Sequence, residues 1–175
     1  MKKSFIQFTM IIPLTLLLCF TLSCHKQSEN LTEEEKKNLV SFIDSIHLRN
    51  NAMTLLHEIP SSSFKEAFTP ENIKKIEKAL AMMKKSIEES QKVNDQMLDK
   101  LHPDLSKHYR EEFCEGLKLY IIFLEEGGVS KEEKAKHLMD KWGTLFLIKF
   151  DAMSKRSRWF LNEFAKRQDE ILFPN

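Results

Sequence analysis

The chain has 175 residues, of which 30% are charged and 42% apolar, with only four glycines and five prolines. Strand-rich folds need many turns and hence more glycine, so this composition excludes them and favours helices. A formal net charge of +1 offers no basic surplus on which a nucleic-acid-binding role could rest.

At the N-terminus, Lys2 and Lys3 precede an apolar run from Phe5 to Leu22, and small Ser23 stands just before Cys24. These are the parts of an export signal. Residues 1–24 resemble the precursors of bacterial lipoproteins, in which a lipobox precedes the cysteine: usually Leu, then Ser, Ala or Thr, then Gly, Ala or Ser. Here the box reads Thr21-Leu22-Ser23-Cys24; Ser23 fits, while Thr21 and Leu22 depart from the usual residues. The resemblance implies that Cys24 receives a diacylglycerol, that the signal is cut before it, and that the new amine is acylated. Two or more acyl chains give durable membrane attachment. By the same resemblance His25, which is not the retention-type Asp, implies an outer membrane if the cell has two.

Two other accounts fit the same run. One is an uncleaved anchor, since the 18 residues of Phe5–Leu22 approach the roughly 20 that span a bilayer. Pro13 in mid-span and the absence of a cationic stop beyond Lys26 count against it. The other is an ordinary secretory signal cut before Cys24. The division expected is a signal over 1–23, a polar tether over 24–32 and a helical domain over 33–172. Removing the signal takes Lys2 and Lys3 from 27 cations and nothing from 26 acids, leaving a net charge of −1. Cys19 leaves with the signal and Cys24 carries lipid. Cys114 is then left alone, so the domain is stabilised by packing and not by a disulfide.

Thr32-Glu33-Glu34-Glu35 reads as a capping box opening a first helix over 33–59, with Leu39, Phe42, Ile43, Ile46 and Met53 on one face. Pro60-Ser61-Ser62-Ser63 ends it. Thr69-Pro70-Glu71, an N-cap followed by proline at the first helical position, opens a second. Its stripe is Ile73, Ile76, Leu80, Met83, Ile87, Leu98 and Leu101, and it stops at His102-Pro103. A third begins near Asp104, aligns Tyr109, Phe113, Leu117, Tyr120 and Leu124, and ends at Gly127-Gly128. Ser130-Lys131-Glu132-Glu133 reads as another capping box. The fourth pattern lines up Ala135, Leu138, Met139, Trp142, Phe146, Met153, Phe160, Phe164 and Ile171. The runs Tyr120–Leu124 and Leu145–Phe150 have strand-like composition, but each sits inside a longer helical period.

The fold class predicted is all-α: an up-down-up-down bundle of four to five amphipathic helices. Lengths expose a mismatch. At 1.5 Å per residue the third helix spans about 33 Å and the fourth about 63 Å. An antiparallel partner is used up near Phe150, yet Phe160, Phe164 and Ile171 require burial. A break near 154–157 is therefore expected, with the last segment folded under the bundle. The alternative is a straight helix whose tip docks on another chain.

No chemistry converges. Six histidines occur, at 25, 47, 57, 102, 108 and 137, without the Glu-x-x-His spacing of bundle metal sites, so no metal and no cofactor are expected. His137 points away from the Trp142 stripe, and His57 lies near the end of the first helix. Cys114 sits mid-helix beside Glu112, Phe113 and Glu115, the opposite of an activated thiol's surroundings. Serine-hydrolase and phosphate-loop motifs are absent, and the chain reads as a non-enzyme. Gln91 and Asn94 interrupt the second stripe and, with Tyr120, mark a candidate ligand pocket. A register-fixing polar layer is the simpler account of them. Lys155, Arg156, Arg158 and Trp159 mix cations with an aromatic ring. A run of that kind is usually the solvated face of a helix. At the end of the bundle that carries Cys24, it would suit a membrane surface.

The expectation is a lipid-anchored helical envelope protein, an interaction or structural module joined to the membrane through Cys24 and able to meet a protein partner, with no role in nucleic-acid binding. A small-ligand carrier is the alternative.

Overall fold

The structure, a computed structural model, describes residues 31–60 and 69–172, with side chains as far as Gln168. The signal, Cys24 and most of the tether lie outside the described residues, as does the side chain of Ile171. What is described is an all-α bundle with no strand among the described residues.

Helix α1 (Glu33–His57) starts on the expected capping box: the Thr32 hydroxyl accepts from the Glu35 N–H, and the Glu35 carboxylate accepts from the Thr32 N–H. Helix α2 (Pro70–Gln91) starts on Thr69, whose hydroxyl accepts from the Asn72 N–H. The two lie antiparallel, since partner numbers fall along one as they rise along the other: Asn38 to Lys92, Ser41 to Glu89, Ser45 to Ser86, Glu58 to Lys75. Small residues make the seam. Ser45, Ser86 and Ala79 are fully buried, and the Ser86 hydroxyl donates to the Ser45 carbonyl at 2.6 Å.

The expected second helix does not run on to Leu101. It breaks at Lys92-Val93-Asn94, and helix α3 (Asp95–Leu101) starts anew. Asn94 caps it through Oδ1, which accepts from the Gln96 N–H at 2.9 Å. The side chain that read as an interruption of a stripe is a helix cap, because a short polar side chain satisfies orphan N–H groups better than it fills a core.

After Asp104, held at φ 60°, a continuous helical rod covers 105–126. It comprises a turn, α4 (Leu105–His108), a π-helical stretch (Tyr109–Cys114) and α5 (Glu115–Glu126). The wider π turn lets Tyr109, Glu112, Phe113 and Cys114 all point inward, a clustering that a 3.6-residue period does not predict. Gly127 and Gly128, at φ 76° and 110°, make the following turn, which a Cβ would strain. Helix α6 (Val129–Arg156) begins at once. Ser130 therefore falls in its first turn and makes no cap, contrary to the capping box expected there. Gly116 brings α5 and α6 close: a Cβ on it would stand 2.9 Å from Met139 Cγ and 3.1 Å from Leu138 Cβ.

The break expected near 154–157 falls at Ser157, which is extended, and α7 (Arg158–Leu172) follows. The last segment does not fold under the bundle, however. It doubles back alongside it. Phe160 meets Phe150 and Phe164 meets Phe146, so α7 runs antiparallel to α6; Phe160 and Phe164 also meet Phe42 and His47 of α1. A groove between two helices buries several turns of α7, whereas the end of a bundle would bury one. The rings of Phe42, Tyr109, Phe113, Trp142, Phe146, Phe150, Phe160 and Phe164 form one connected cluster, neighbouring centroids being 5.1–6.4 Å apart. Leu39, Ile43, Met83, Leu98, Leu105, Leu117 and Met153 complete the core.

Candidate functional site: the basic-aromatic end

The elbow between α6 and α7 is built by Ser157. Its N–H donates to the Met153 carbonyl and closes α6, while its hydroxyl accepts from the Phe160 N–H at 3.0 Å and caps α7. With Ser157 buried, the residues around it point outward: Lys155, Arg156 and Arg158 are exposed and Trp159 is half-buried. All four predicted membrane-contact residues thus meet at one turn.

That turn lies against the start of α1. Trp159 lines an open hollow of about 620 Å³ with Glu33, Glu34, Lys36 and Lys37. Arg156 Nη1 donates to the Lys100 carbonyl at 3.1 Å, and Lys100 Nζ pairs with Glu35 Oε1 at 2.7 Å. The hydrogen bond from Lys100, with help from the Thr32 N–H, draws the Glu35 carboxyl down to about 2. Lys149 Nζ reaches His102 Nδ1 at 3.0 Å and the Pro103 carbonyl at 3.3 Å. At these contacts Arg156 and Lys149 meet carbonyls and an imidazole nitrogen, not carboxylates. Lys155 is paired with Asp151.

Gln91, Asn94 and Tyr120 are not brought together as a pocket. Gln91 and Asn94 are exposed at the α2–α3 turn, where Asn94 serves as a cap. Tyr120 is buried on α5 against Phe123, and burial pushes its hydroxyl up. The α2–α3 turn instead meets Arg110 of the π-helical stretch, whose guanidinium binds the Ser90 and Val93 carbonyls and Asp95.

Sequence reasoning missed Glu112 as a buried residue. It is 2% exposed, and its Oε1 takes Lys141 Nζ at 2.6 Å and His108 Nδ1 at 3.0 Å, while Oε2 is buried without a hydrogen-bond partner. Burial pushes its carboxyl up, but the bonds from Lys141 and His108 outweigh that and hold it below the usual value. His108 and Glu112 stand four apart, a spacing visible in the sequence; the π turn that buries the carboxylate is not.

His47, also buried, lies against Phe164 with Nε2 unpartnered, and burial pushes it down to about 4. His57 and His137 are exposed. Cys114 is free and buried, and burial raises its thiol pKa, as suits packing rather than attack. Among the described residues no three His, Cys, Asp or Glu side chains gather as a metal site, and no helix is long and apolar enough to cross a membrane. No family model, curated protein or solved structure matches the chain.

Proposed function

We propose that this protein is a lipid-anchored helical module of the cell envelope, held to the membrane through Cys24, whose Lys155–Trp159 elbow faces the bilayer. It binds or spaces a partner and catalyses no reaction. The observation that carries this reading is the meeting of the elbow with the first turn of α1, the point at which the chain arrives from Cys24. Trp and Arg or Lys together suit the head-group region, where a ring sits at the interface and cations meet anionic lipid. The signal-like residues 1–23 and Ser23-Cys24 supply the attachment.

Labelled palmitate is the direct test. It should enter the protein made from the full coding sequence and vanish in Cys24→Ala. Label that survives that substitution sinks the anchor. Crosslinking in intact envelopes followed by affinity capture should then return a defined envelope partner.

A further inference from the structure

Helices α6 and α7 are joined by one residue. Ser157, at φ −132° and ψ 102°, is the whole connection between Arg156 and Arg158. No glycine or proline occurs from Thr144 to Phe173, so no residue there forbids a continuous helix. Two helical bonds already span the elbow: the Ser157 N–H donates to the Met153 carbonyl at 2.9 Å, and the Leu161 N–H to the Ser157 carbonyl at 3.2 Å. Only the three between them are unmade, from Arg158, Trp159 and Phe160 to Ser154, Lys155 and Arg156. Of those donors, the Phe160 N–H is held by the Ser157 hydroxyl.

The apolar stripe keeps its phase across the elbow. At 100° per residue, Met139, Trp142, Met153, Phe160 and Phe164 all stay within about 40° of Phe146. A hairpin does not need this, since an elbow resets the phase; a straight rod that buries one side along its whole length does. The docked register adds a second condition. Phe164 lies opposite Phe146 and Phe160 opposite Phe150, and the midpoint of both pairs is Lys155. Two straight rods laid antiparallel in that register are related by a twofold axis at Lys155, so the α7 of each meets the α6 of the other at the same pairs. Lys155 itself lies on the opposite side of the rod, so the axis brings Met153 to Ser157 and not ammonium to ammonium.

We propose that α7 exchanges between two copies of this chain: the elbow straightens, and the Phe160–Arg167 face of each α7 seats in the other copy's groove between α1 and α6. The contacts with Phe42, His47 and Asp44 are then made in the second copy as they are in the first. Exchange adds three backbone bonds at each elbow. It loses the Ser157 cap and the freedom of two separate molecules, so concentration and the hinge residue set its extent. No contact with lipid enters, and the exchange stands apart from the membrane-facing reading.

The test uses the full chain with Cys19→Ala and Cys24→Ala, in detergent; buried Cys114 stays. One copy carries Phe146→Cys and a co-expressed, tagged copy carries Phe164→Cys, and a short bifunctional thiol reagent is added. In a closed chain each position is covered by its own helix, so the two copies are linked only if the α7 of one lies on the α6 of the other. The mixed product should form, rise with concentration, increase several-fold with Ser157→Ala and vanish with Arg158→Pro. Proline at 158 fits the closed elbow, because it suits the first position of a helix and follows an extended residue, but it breaks a straight rod. Both cysteines in a single Arg158→Pro chain calibrate the reagent by linking within that chain. If no mixed product forms with the native hinge or with Ser157→Ala, α7 keeps to its own groove and the exchange is overturned. A product that survives Arg158→Pro overturns it too, since the copies then meet without straightening. With all rings native, mass in solution should rank Ser157→Ala above the native hinge and Arg158→Pro below it; equal masses count against exchange.

Discussion

Glu112 is the residue on which most local electrostatics converges. Its folded-state pKa lies below the unfolded value, so its contribution to stability is present above about pH 4.5 and is lost as pH falls through the folded value. Glu112→Gln keeps the shape and removes the charge that Lys141 and His108 bind. Hydrogen bonds to charged groups are worth about 1.5–3 kcal/mol, and exposed Lys141 can regain water. A loss of about 2 kcal/mol, or roughly 4–8 °C in melting temperature, should appear at pH 7 and shrink toward pH 3. Gly116→Val should also destabilise. Replacing glycine by β-branched valine improves helix propensity by only about 0.3 kcal/mol, whereas overpacking costs about 1–3 kcal/mol where Met139 and Leu138 already stand within 3.1 Å of a Cβ. Denaturant midpoints of Gly116→Ala and Gly116→Val measure the balance. Periodicity displays neither residue. Glu112 is buried by a change of helical pitch, and Gly116 is tight only because α6 crosses there.

Among the elements, α7 is the one whose docking should depend on pH. His47 titrates near 4 when folded and near 6.5 when free. Between those values the unfolded or undocked state binds more protons, so stability falls as pH falls across that window, by at most about 3 kcal/mol. The charged groups facing His47 across the joint are Arg167, which pairs with Asp44 and Glu163. Burial pushes the Asp44 carboxyl up more than Arg167 draws it down; that shift acts near pH 4, with the opposite sign. The protection factors of α7 amides, that is, exchange corrected for its intrinsic pH dependence, should fall between pH 7 and 5 before those of α2 and α5, and His47→Leu should flatten the difference. Phe160→Ala should cost about 3–5 kcal/mol, since its ring is fully buried, and Ser157→Ala about 1 kcal/mol for the lost cap. The break itself was legible by length, because the fourth apolar stripe is longer than its partner. Its direction was not: Phe42 lies far along the chain from Phe146 and Phe150, and the rings of all three receive α7.

At the scale of the molecule, charge and topology act together. Each Lys or Arg near an anionic surface contributes about 1 kcal/mol, so reversing Lys155, Arg156 and Arg158 to Glu should weaken association with phosphatidylglycerol vesicles by at least about a hundredfold, and added salt should narrow the gap. Sedimentation of the unlipidated Cys24→Ala protein and its charge-reversed counterpart with vesicles measures this. By itself the sequence determined the helical class, the caps at Thr32 and Thr69, most of the buried stripe residues and the need for a break before Phe160. These follow from local propensity and a 3.6-residue period, which nearby residues set. Only the tertiary structure decided that Asn94 caps rather than lines a pocket, that the Tyr109–Cys114 turn widens to bury Glu112, and that α7 returns along α1. Each of these depends on which distant side chains arrive to satisfy a polar atom or to cover a ring.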